Sequence, residues 1–299
     1  MCLVAWSVGQ SERFPWLLAS NRDEFFNRPA AALAWWRPAT GGPAILSGRD
    51  LSAGGAWLGL TADGRLALVT NVREPGRFDA GTPSRGDLVP HWLRDADAGA
   101  APDPARLDAI ARVPRNGYNL LLADLGADSG HWLSNRPDPR QQALGAGHYG
   151  LSNAGLDTPW PKVLRLKRRL AEMLAAADAR MADAGTTPAA ASDAPAQALA
   201  DAAFAALADT GVAPDAELPA TGVPLERERQ LSPAFIRIDA PDTTLSPAAG
   251  VYGTRCSTVV IVERIGARRQ VRVIERRYST DGGIEGETAI GFDFDPVRA

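Results

Sequence analysis

The pattern of apolar and polar positions predicts a β-hairpin at the start of the chain. Residues 3–8 form an apolar run that is typical of a strand, and residues 16–20 form a second one. The segment 9–15 between them is rich in turn-forming residues. We therefore expect the two runs to pair as neighbouring antiparallel strands.

The expected register of this hairpin brings the start of the chain to a polar cluster. When residue 8 faces residue 16, the numbers of opposed residues sum to about 24. Cys2 then faces Arg22, within the segment Asn21-Arg22-Asp23-Glu24. The register thus places a thiol beside charged side chains, with Arg22 and Asn21 as candidate supporting groups.

Along the rest of the chain the pattern predicts strands, then helices, then strands. Further strands are expected at 57–60, 65–70, 118–124, 131–134, 147–153, 234–238, 258–263 and 270–277. Helices are expected at 86–95, 162–183 and 197–210. This order favours an α+β fold with largely antiparallel sheets rather than a doubly wound one.

Two stretches carry no strand or helix pattern. Residues 29–56 are rich in Pro, Gly and Ala and predict a loop, and residues 184–196 predict a flexible linker.

The helix at 162–183 is predicted because four leucines fall close to helical spacing. They are Leu164, Leu166, Leu170 and Leu174.

Composition narrows the class of protein. The 299 residues have a formal net charge of −3, which does not favour a nucleic-acid partner. Two cysteines, Cys2 and Cys256, do not make a disulfide scaffold, and no spacing of Cys and His indicates a metal site. The chain shows no signal-peptide pattern and no apolar run long enough to span a membrane. We therefore expect a soluble cytoplasmic protein.

Cys2 points to a specific chemistry. Trimming of Met1 leaves a residue that carries both a thiol and a free α-amino group. An α-amine has a pKa near 8, so it can act as general base for the thiol without a histidine. The three histidines, His91, His131 and His148, lie far along the chain in no recognisable Cys/His protease context.

Such a nucleophile needs neighbours. Asp23 is placed by the hairpin to hold and orient the α-amine, and Asn71 and Asn153 sit at the ends of predicted strands. Amide groups at strand ends can face a developing oxyanion. Each residue alone has an ordinary explanation, because Cys2 could be an inert strand residue and the asparagines could be turn residues. The hypothesis depends on the set.

The chain also resembles a known family. The run from Asn21 to Pro29 carries the motif that names the NRDE family, also called the Transport and Golgi organisation protein 2 family. Similar segments include Met1-Cys2, 55–59, 70–71, 84–88, 118–120, 149–153, 158–160 and 252–255. The resemblance spans nearly the whole chain, which implies a single domain over residues 1–299.

That family is in turn similar to the cysteine N-terminal-nucleophile (Ntn) hydrolases. The resemblance implies a four-layer αββα sandwich of mainly antiparallel sheets. It also implies a site that includes an oxyanion pair and a later arginine. The matching positions are Cys2, Asp23, Asn71, Asn153 and Arg255.

The first arginine of the Ntn pattern is missing at its usual place. Ser20 occupies the position three residues before Asp23. Arg22 lies on the same strand face as residue 20, because alternate residues share a face. Either Arg22 takes over the role of that arginine, or the site has lost it.

Two functions are consistent with these expectations. The first is hydrolysis of a linear amide or related acyl bond by Cys2, with a small-molecule substrate and no cofactor or metal. The alternative is a non-catalytic carrier or trafficking factor for haem or an acyl-lipid ligand, using the same cleft. The sequence has no Cys-x-x-Cys-His motif, and its histidines are candidate axial ligands only in the general sense.

We predict that the mature protein begins at Cys2. The intact mass of the purified protein should equal that of residues 2–299, because a small residue after Met1 permits its removal. Retention of Met1 would contradict the hydrolytic hypothesis, since no α-amine would then be attached to Cys2.

Overall fold

The computed structural model describes residues 2–39, 41–95, 102–183, 193–238 and 250–296. Its strands are β1 (Cys2–Val8), β2 (Trp16–Phe25), β3 (Ala30–Trp36), β4 (Ile45–Asp50), β5 (Leu58–Thr61), β6 (Arg65–Asn71), β7 (Tyr118–Asp124), β8 (Ser129–Ser134), β9 (Arg140–Leu144), β10 (Gly147–Leu151), β11 (Arg237–Ile238), β12 (Tyr252–Ile265), β13 (Arg268–Tyr278) and β14 (Ile284–Phe294). Its α-helices are α1 (Leu88–Asp95), α2 (Pro104–Arg112), α3 (Pro161–Asp183), α4 (Ala194–Leu207) and α5 (Leu225–Gln230).

The strands form two seven-stranded antiparallel sheets. The first sheet has the order β10-β1-β2-β12-β13-β14, with the short β11 pairing to β12. The second sheet runs β3-β4-β5-β6-β7-β8-β9, so each of its strands pairs with its neighbour in sequence. In the first sheet, strands from both ends of the chain meet because β2 pairs with β1 on one side and β12 on the other.

Three layers of apolar side chains show how the sheets and helices stack. One cluster joins the first sheet to α3 and α4, and another joins the second sheet to α1 and α2. The cluster between them packs the two sheets face to face. The order of layers is therefore helix, sheet, sheet, helix, which confirms the expected αββα sandwich.

Strand β1 shows this layering in its alternation. Leu3 and Ala5 belong to the cluster beneath the helices, whereas Val4, Trp6 and Val8 belong to the cluster between the sheets. Because successive side chains of a strand point to opposite faces, Cys2 belongs to the face that meets the second sheet.

The predicted hairpin is confirmed residue by residue. Val8 pairs with Trp16 and Cys2 pairs with Arg22, as the expected register requires. The predicted hairpin of 57–60 and 65–70 corresponds to β5 and β6, and that of 118–124 and 131–134 to β7 and β8.

The loop predicted at 29–56 is wrong, because this stretch contains β3 and β4. Its alanines and glycines masked the strands, since neither residue favours a sheet on propensity. Gly48 has a packing reason to lie in β4: a Cβ there would come within 2.5 Å of Trp57 Cζ2. The strand therefore uses glycine so that the Trp57 ring can lie against its backbone.

The linker predicted near 184–196 lies mostly outside the described residues. Its last residues are wrongly assigned, because α4 already begins at Ala194. Pro195 suits the first turn of a helix, where its missing N–H is not needed, and the alanines that follow are strong helix formers. Four further elements, α2, α5, β9 and β14, were not expected from the sequence.

We predict that two leucines of α3 differ sharply in their contribution to stability. Leu174 is 1% exposed in the cluster beneath the first sheet, whereas Leu164 is 50% exposed. Leu174→Ala should lower the free energy of unfolding by about 2–5 kcal/mol, because it leaves a cavity. Leu164→Ala, the control, should change it by less than about 0.5 kcal/mol. Urea denaturation measures both, and equal losses would contradict the packing of α3.

Candidate active site

Cys2 lies at the mouth of a polar cleft. It is half-buried as the first residue of β1, and the Ser152 hydroxyl donates to its carbonyl oxygen at 3.0 Å. The cleft has a volume of about 350 Å³. Its charged lining residues are Arg22, Asp23, Glu24, Arg28, Asp50, Asp79 and Arg85. Cys2 and Asn71 line the same cleft, so it brings together four of the residues predicted for the site, Cys2, Arg22, Asp23 and Asn71.

The surroundings of Cys2 raise the pKa of its thiol. Burial is the main cause; the ammonium group of the chain terminus lowers the pKa, the Asp23 carboxylate raises it, and the Arg22 guanidinium lowers it. A thiol with a raised pKa is a weak nucleophile until a base takes its proton. Cys2 could therefore act as a nucleophile only with a proton acceptor beside it.

Arg22 is positioned by a stack of three residues. Its guanidinium carbon lies 4.3 Å from the centroid of the Trp57 ring, and Trp57 in turn packs against Gly48. The Arg22 side chain is 6% exposed, and its Nη2 lies 3.9 Å from Glu24 Oε2. Its Nη1 is buried and makes no hydrogen bond to the residues described. A buried guanidinium N–H in a cleft is suited to an oxygen of a bound ligand.

Asp23 follows Arg22 in β2 and is 1% exposed. The Thr254 hydroxyl donates to its Oδ1 at 2.7 Å, and the Tyr252 hydroxyl donates to its backbone carbonyl at 3.2 Å. Burial raises the pKa of Asp23, and the Lys162 ammonium is the largest of the opposing influences. β12 thus fixes the Asp23 carboxylate near the start of the chain, where an α-ammonium group on Cys2 would need an anionic partner.

Asn71 and Asn153 are in contact but have different roles. Asn71 ends β6 and lines the cleft. Asn153 is 1% exposed, and its Nδ2 donates to the backbone carbonyl of Asn71 at 2.9 Å. Asn153 is not among the lining residues of the cleft. Asn71 therefore lies in the lining of the cleft, and the Asn153 amide holds the Asn71 backbone.

Arg255 lies apart from the cleft. It sits at a β-bulge, because Thr254 pairs with Asp23 and Cys256 pairs with the preceding residue of β2. Its Nη1 donates to the carbonyl oxygens of Phe25 and Arg28, each at 2.9 Å. It lines a smaller cavity of about 40 Å³, which it shares with Arg22. In this arrangement Arg255 supports the chain that follows β2 and does not face Cys2.

Asn21 faces away from the cleft. It is fully buried, and its Nδ2 donates to the carbonyl oxygens of Leu207 at 2.9 Å and Ala234 at 2.8 Å. The Ser257 hydroxyl donates to its Oδ1 at 2.6 Å. Asn21 therefore ties the end of α4, where helix carbonyls lack partners, to the first sheet.

One wall of the cleft was not predicted from the sequence, although a signal for it was present. Gly55 lies against the backbone of Gly86 so closely that a Cβ would come within 2.5 Å of its carbonyl carbon. The Ala56 N–H also donates to the Gly86 carbonyl at 3.1 Å. This contact brings Trp57 and Arg85 into the lining. In the sequence, 55–59 and 84–88 match the family as separate segments, and nothing in them indicates that they meet.

Lys162 is the other residue that the sequence analysis missed. It belongs to the first turn of α3, is 2% exposed, and donates from Nζ to the Leu231 carbonyl at 3.0 Å. Burial lowers the pKa of Lys162 to about 8, and the Asp23 carboxylate acts in the opposite direction. Its helix is remote in sequence from Cys2, so no local pattern indicated it.

The described residues hold no group of three or more His, Cys, Asp or Glu that could bind a metal ion. The cleft is lined by none of the three histidines. Haem needs an axial ligand and a broad apolar surface. Seven charged side chains around Cys2 fit that requirement poorly. Among the described residues no helix is long and apolar enough to cross a membrane.

Comparison with known proteins identifies the family. The family model described as Transport and Golgi organisation 2 matches residues 1–280. The chain belongs to the Transport and Golgi organisation 2 family. The Bos taurus homolog is 33% identical over 261 residues, which cover 84% of this chain and 83% of the homolog. The Mus musculus homolog is 31% identical over 261 residues with the same coverage. The resemblance carried by the NRDE motif is thereby confirmed.

Two solved structures of one enzyme align with nearly the whole of this chain. A mutant of the conjugated bile acid hydrolase from Clostridium perfringens aligns over 99% of this chain and 97% of its own, with 9% identity and a TM-score of 0.40. A second variant of that enzyme aligns with 8% identity and a TM-score of 0.37.

We predict that Asn21 has a structural role only. Asn21→Ala should lower the free energy of unfolding by about 2–4 kcal/mol, because two carbonyls and a hydroxyl lose their buried partner. Gln10→Ala, which removes an exposed amide from the turn of the same hairpin, is the control. Alkylation of Cys2 by iodoacetamide in the folded protein should proceed at the parental rate. A large loss of that reactivity with unchanged stability would place Asn21 in the site instead.

Proposed function

We propose that this member of the family is an N-terminal-cysteine hydrolase of the Ntn type that cleaves a linear amide or a related acyl bond. The observation that supports it best is the register of β1 and β2. It sets Cys2 opposite Arg22, with Asp23 and Asn71 in the same cleft. This is the residue set that a terminal nucleophile needs: a thiol, a carboxylate for its α-amine, a cation and an amide.

The proposed reaction uses the α-amine of Cys2 as its base. The amine accepts the proton of the thiol, and the sulfur attacks the carbonyl carbon of the substrate. The negative charge that develops on the carbonyl oxygen is stabilised by N–H donors of the Asn71 side chain and Arg22. The protonated amine then gives its proton to the leaving nitrogen, and an acyl-thioester remains on Cys2. Water, deprotonated by the same amine, hydrolyses the thioester and restores the thiol.

Asp23 and Asn153 support this reaction without bonding to the substrate. The Asp23 carboxylate holds the α-ammonium that forms when the thiol proton is taken up. Asn153 fixes the backbone of Asn71 through its 2.9 Å hydrogen bond, so the amide of Asn71 keeps its orientation. In this scheme Arg255 only supports the chain after β2, because its guanidinium donates hydrogen bonds to backbone carbonyls there.

The alternative function is carriage of haem or an acyl-lipid ligand in the same cleft. Carriage does not need a nucleophile, so replacement of Cys2 distinguishes it from hydrolysis. Under this alternative Cys2→Ala retains the ligand affinity of the parent. The charged lining around Cys2 favours a polar acyl compound over haem.

We predict that hydrolysis depends on Cys2 and Asn71 but not on the second cysteine. On a panel of N-acyl p-nitroanilides of increasing chain length, Cys2→Ala should reduce p-nitroaniline release by about 10³-fold or more. Asn71→Ala should reduce kcat by about 10²-fold, because an oxyanion donor is lost. Cys256→Ser is the matched control, since Cys256 is buried and carries the chain's only other thiol.

Intact mass after acid quenching should show the acyl group on residue 2 of the parent. Release that persists in Cys2→Ala would show that the proposed nucleophile is wrong. Binding of the acyl compounds without turnover, unchanged in Cys2→Ala, would instead favour the carrier function.

A further inference from the structure

Arg85 contributes to the cleft a guanidinium group that the proposed reaction does not use. It lines the same cleft as Cys2 and begins a short 3-10 helix, Arg85–Asp87, that directly precedes α1. In the sequence it lies within the segment 84–88, one of those that match the family. Hydrolysis by Cys2 alone therefore leaves the presence of this charge unexplained.

The backbone that carries Arg85 is fixed on both sides. The Ser84 hydroxyl accepts from the Gly86 N–H at 3.2 Å, and the Ser84 carbonyl accepts from the Arg115 guanidinium. Gly86 in turn lies against the backbone of Gly55. The wall of the cleft at this point is therefore a held segment of chain and not a loose loop.

Only one edge of the Arg85 guanidinium is engaged by the protein. Its Nη1 donates to the Gly117 carbonyl at 3.2 Å. Its Nε and Nη2 make no hydrogen bond to the residues that the structure describes, and neither atom is sealed from solvent. Nε and Nη2 form the edge of a guanidinium that donates two parallel hydrogen bonds to one carboxylate. The Gly117 carbonyl thus fixes the group and leaves its bidentate edge available.

Two carboxylates of the cleft are engaged by the other two arginines of the lining. Asp50 Oδ2 accepts from Arg28 Nε at 2.8 Å and from Arg28 Nη2 at 2.6 Å. Glu24 Oε2 lies 3.9 Å from Arg22 Nη2 and 3.9 Å from Arg28 Nε. These four side chains therefore compensate one another within the cleft.

The remaining carboxylates of the lining are also held by groups other than Arg85. Asp23 is 1% exposed and accepts from the Thr254 hydroxyl at 2.7 Å. Asp79 Oδ1 accepts from the Gly81 N–H at 2.8 Å. Within the described part of the chain, Arg85 forms no ion pair, and it is the one arginine of the lining of which this is true.

We propose that Arg85 binds a carboxylate group of the molecule that occupies the cleft, so that the substrate is an amide or acyl compound with a carboxylate away from its scissile bond. Burial lowers the pKa of Arg85, but a guanidinium keeps its charge at neutral pH. A few fixed polar groups of this kind orient a ligand in its pocket. The inference rests on the proposed function for the identity of the ligand as an amide, but the binding can be measured without turnover.

The test compares an acid with its uncharged analogue in a protein that cannot cleave either. In a Cys2→Ala background, isothermal titration calorimetry measures the affinity for N-hexanoyl-4-aminobutyrate and for its primary amide. The acid should bind about 10–100-fold more tightly, because its hydrogen bonds to Arg85 are charge-assisted. Adding Arg85→Met should abolish this preference and leave the affinity for the primary amide unchanged.

A second probe locates the carboxylate in the substrate. The N-butyl monoamide of adipic acid carries its carboxylate on the acyl part, whereas N-hexanoyl-4-aminobutyrate carries it on the amine part. The probe whose affinity falls more in Arg85→Met shows which part of the substrate faces Arg85.

Arg77→Met is the matched control. Arg77 is 75% exposed in the segment after β6 and is not among the lining residues of the cleft. Its replacement removes the same charge from the chain and should keep the preference for the acid. Arg85→Lys retains the charge without the two parallel donors, and it should retain only part of the preference. Thermal melting checks that each variant is folded.

Three outcomes would overturn the inference. The first is equal affinity of the Cys2→Ala protein for the acids and their primary amides, or binding of neither acid. The second is a preference for the acids that persists in folded Arg85→Met. The third is an equal loss of preference in Arg77→Met, because the net charge of the chain would then account for it.

The result is distinguishable from that of the proposed hydrolysis. If the Cys2 protein hydrolyses N-glutaryl p-nitroanilide, Arg85→Met should raise KM by about 10-fold or more and leave kcat near the parental value, because ground-state binding is lost. If the acids bind through Arg85 but no acyl group forms on Cys2, the role of Arg85 stands and the hydrolysis fails. If hydrolysis occurs without any preference for acids, the reverse holds.

Discussion

The pairing of β1 with β2 is the contact on which the candidate site depends. β1 is an interior strand, held by β2 on one side and by β10 on the other. Val4–Val8 pair on both sides, whereas Cys2 and Leu3 pair with β2 alone. The regular register of β1 and β2 sets Cys2 opposite Arg22. The precision of the site is therefore a property of the sheet.

The sheet also assigns two tasks to one short segment. Residues 21–24 alternate between the two faces of β2, so Arg22 points to the layer between the sheets while Asn21 points to the helices. Asn21 joins α4 to the sheet, and Arg22 lines the cleft. Asp23 stands at the end of this alternation, where β12 holds it through Thr254. The motif that identifies the family thus combines a structural residue with residues of the cleft.

The features that could be predicted best from the sequence are those that depend on local pattern. The register of the first hairpin needed only two apolar runs and a turn, and it placed Cys2 opposite Arg22 correctly. The direction of the Arg255 side chain was harder to predict from the sequence. A bulge of one residue in β12 changes which groups a side chain meets, and composition does not reveal such a bulge. Lys162 could not be found at all by such means. The docking of α3 on the first sheet buries it, and its ammonium donates to the Leu231 carbonyl, which is far away in the chain.

The stack of Gly48, Trp57 and Arg22 has a consequence for how such proteins diverge. The three residues come from β4, the turn before β5, and β2, so the stack crosses from one sheet to the other. A side chain at position 48 would displace the ring of Trp57, and a smaller ring would remove the surface on which the Arg22 guanidinium rests. The three residues thus depend on one another. Related chains should either keep all three residues or replace them together, and a departure at any one of them marks a cleft of different shape.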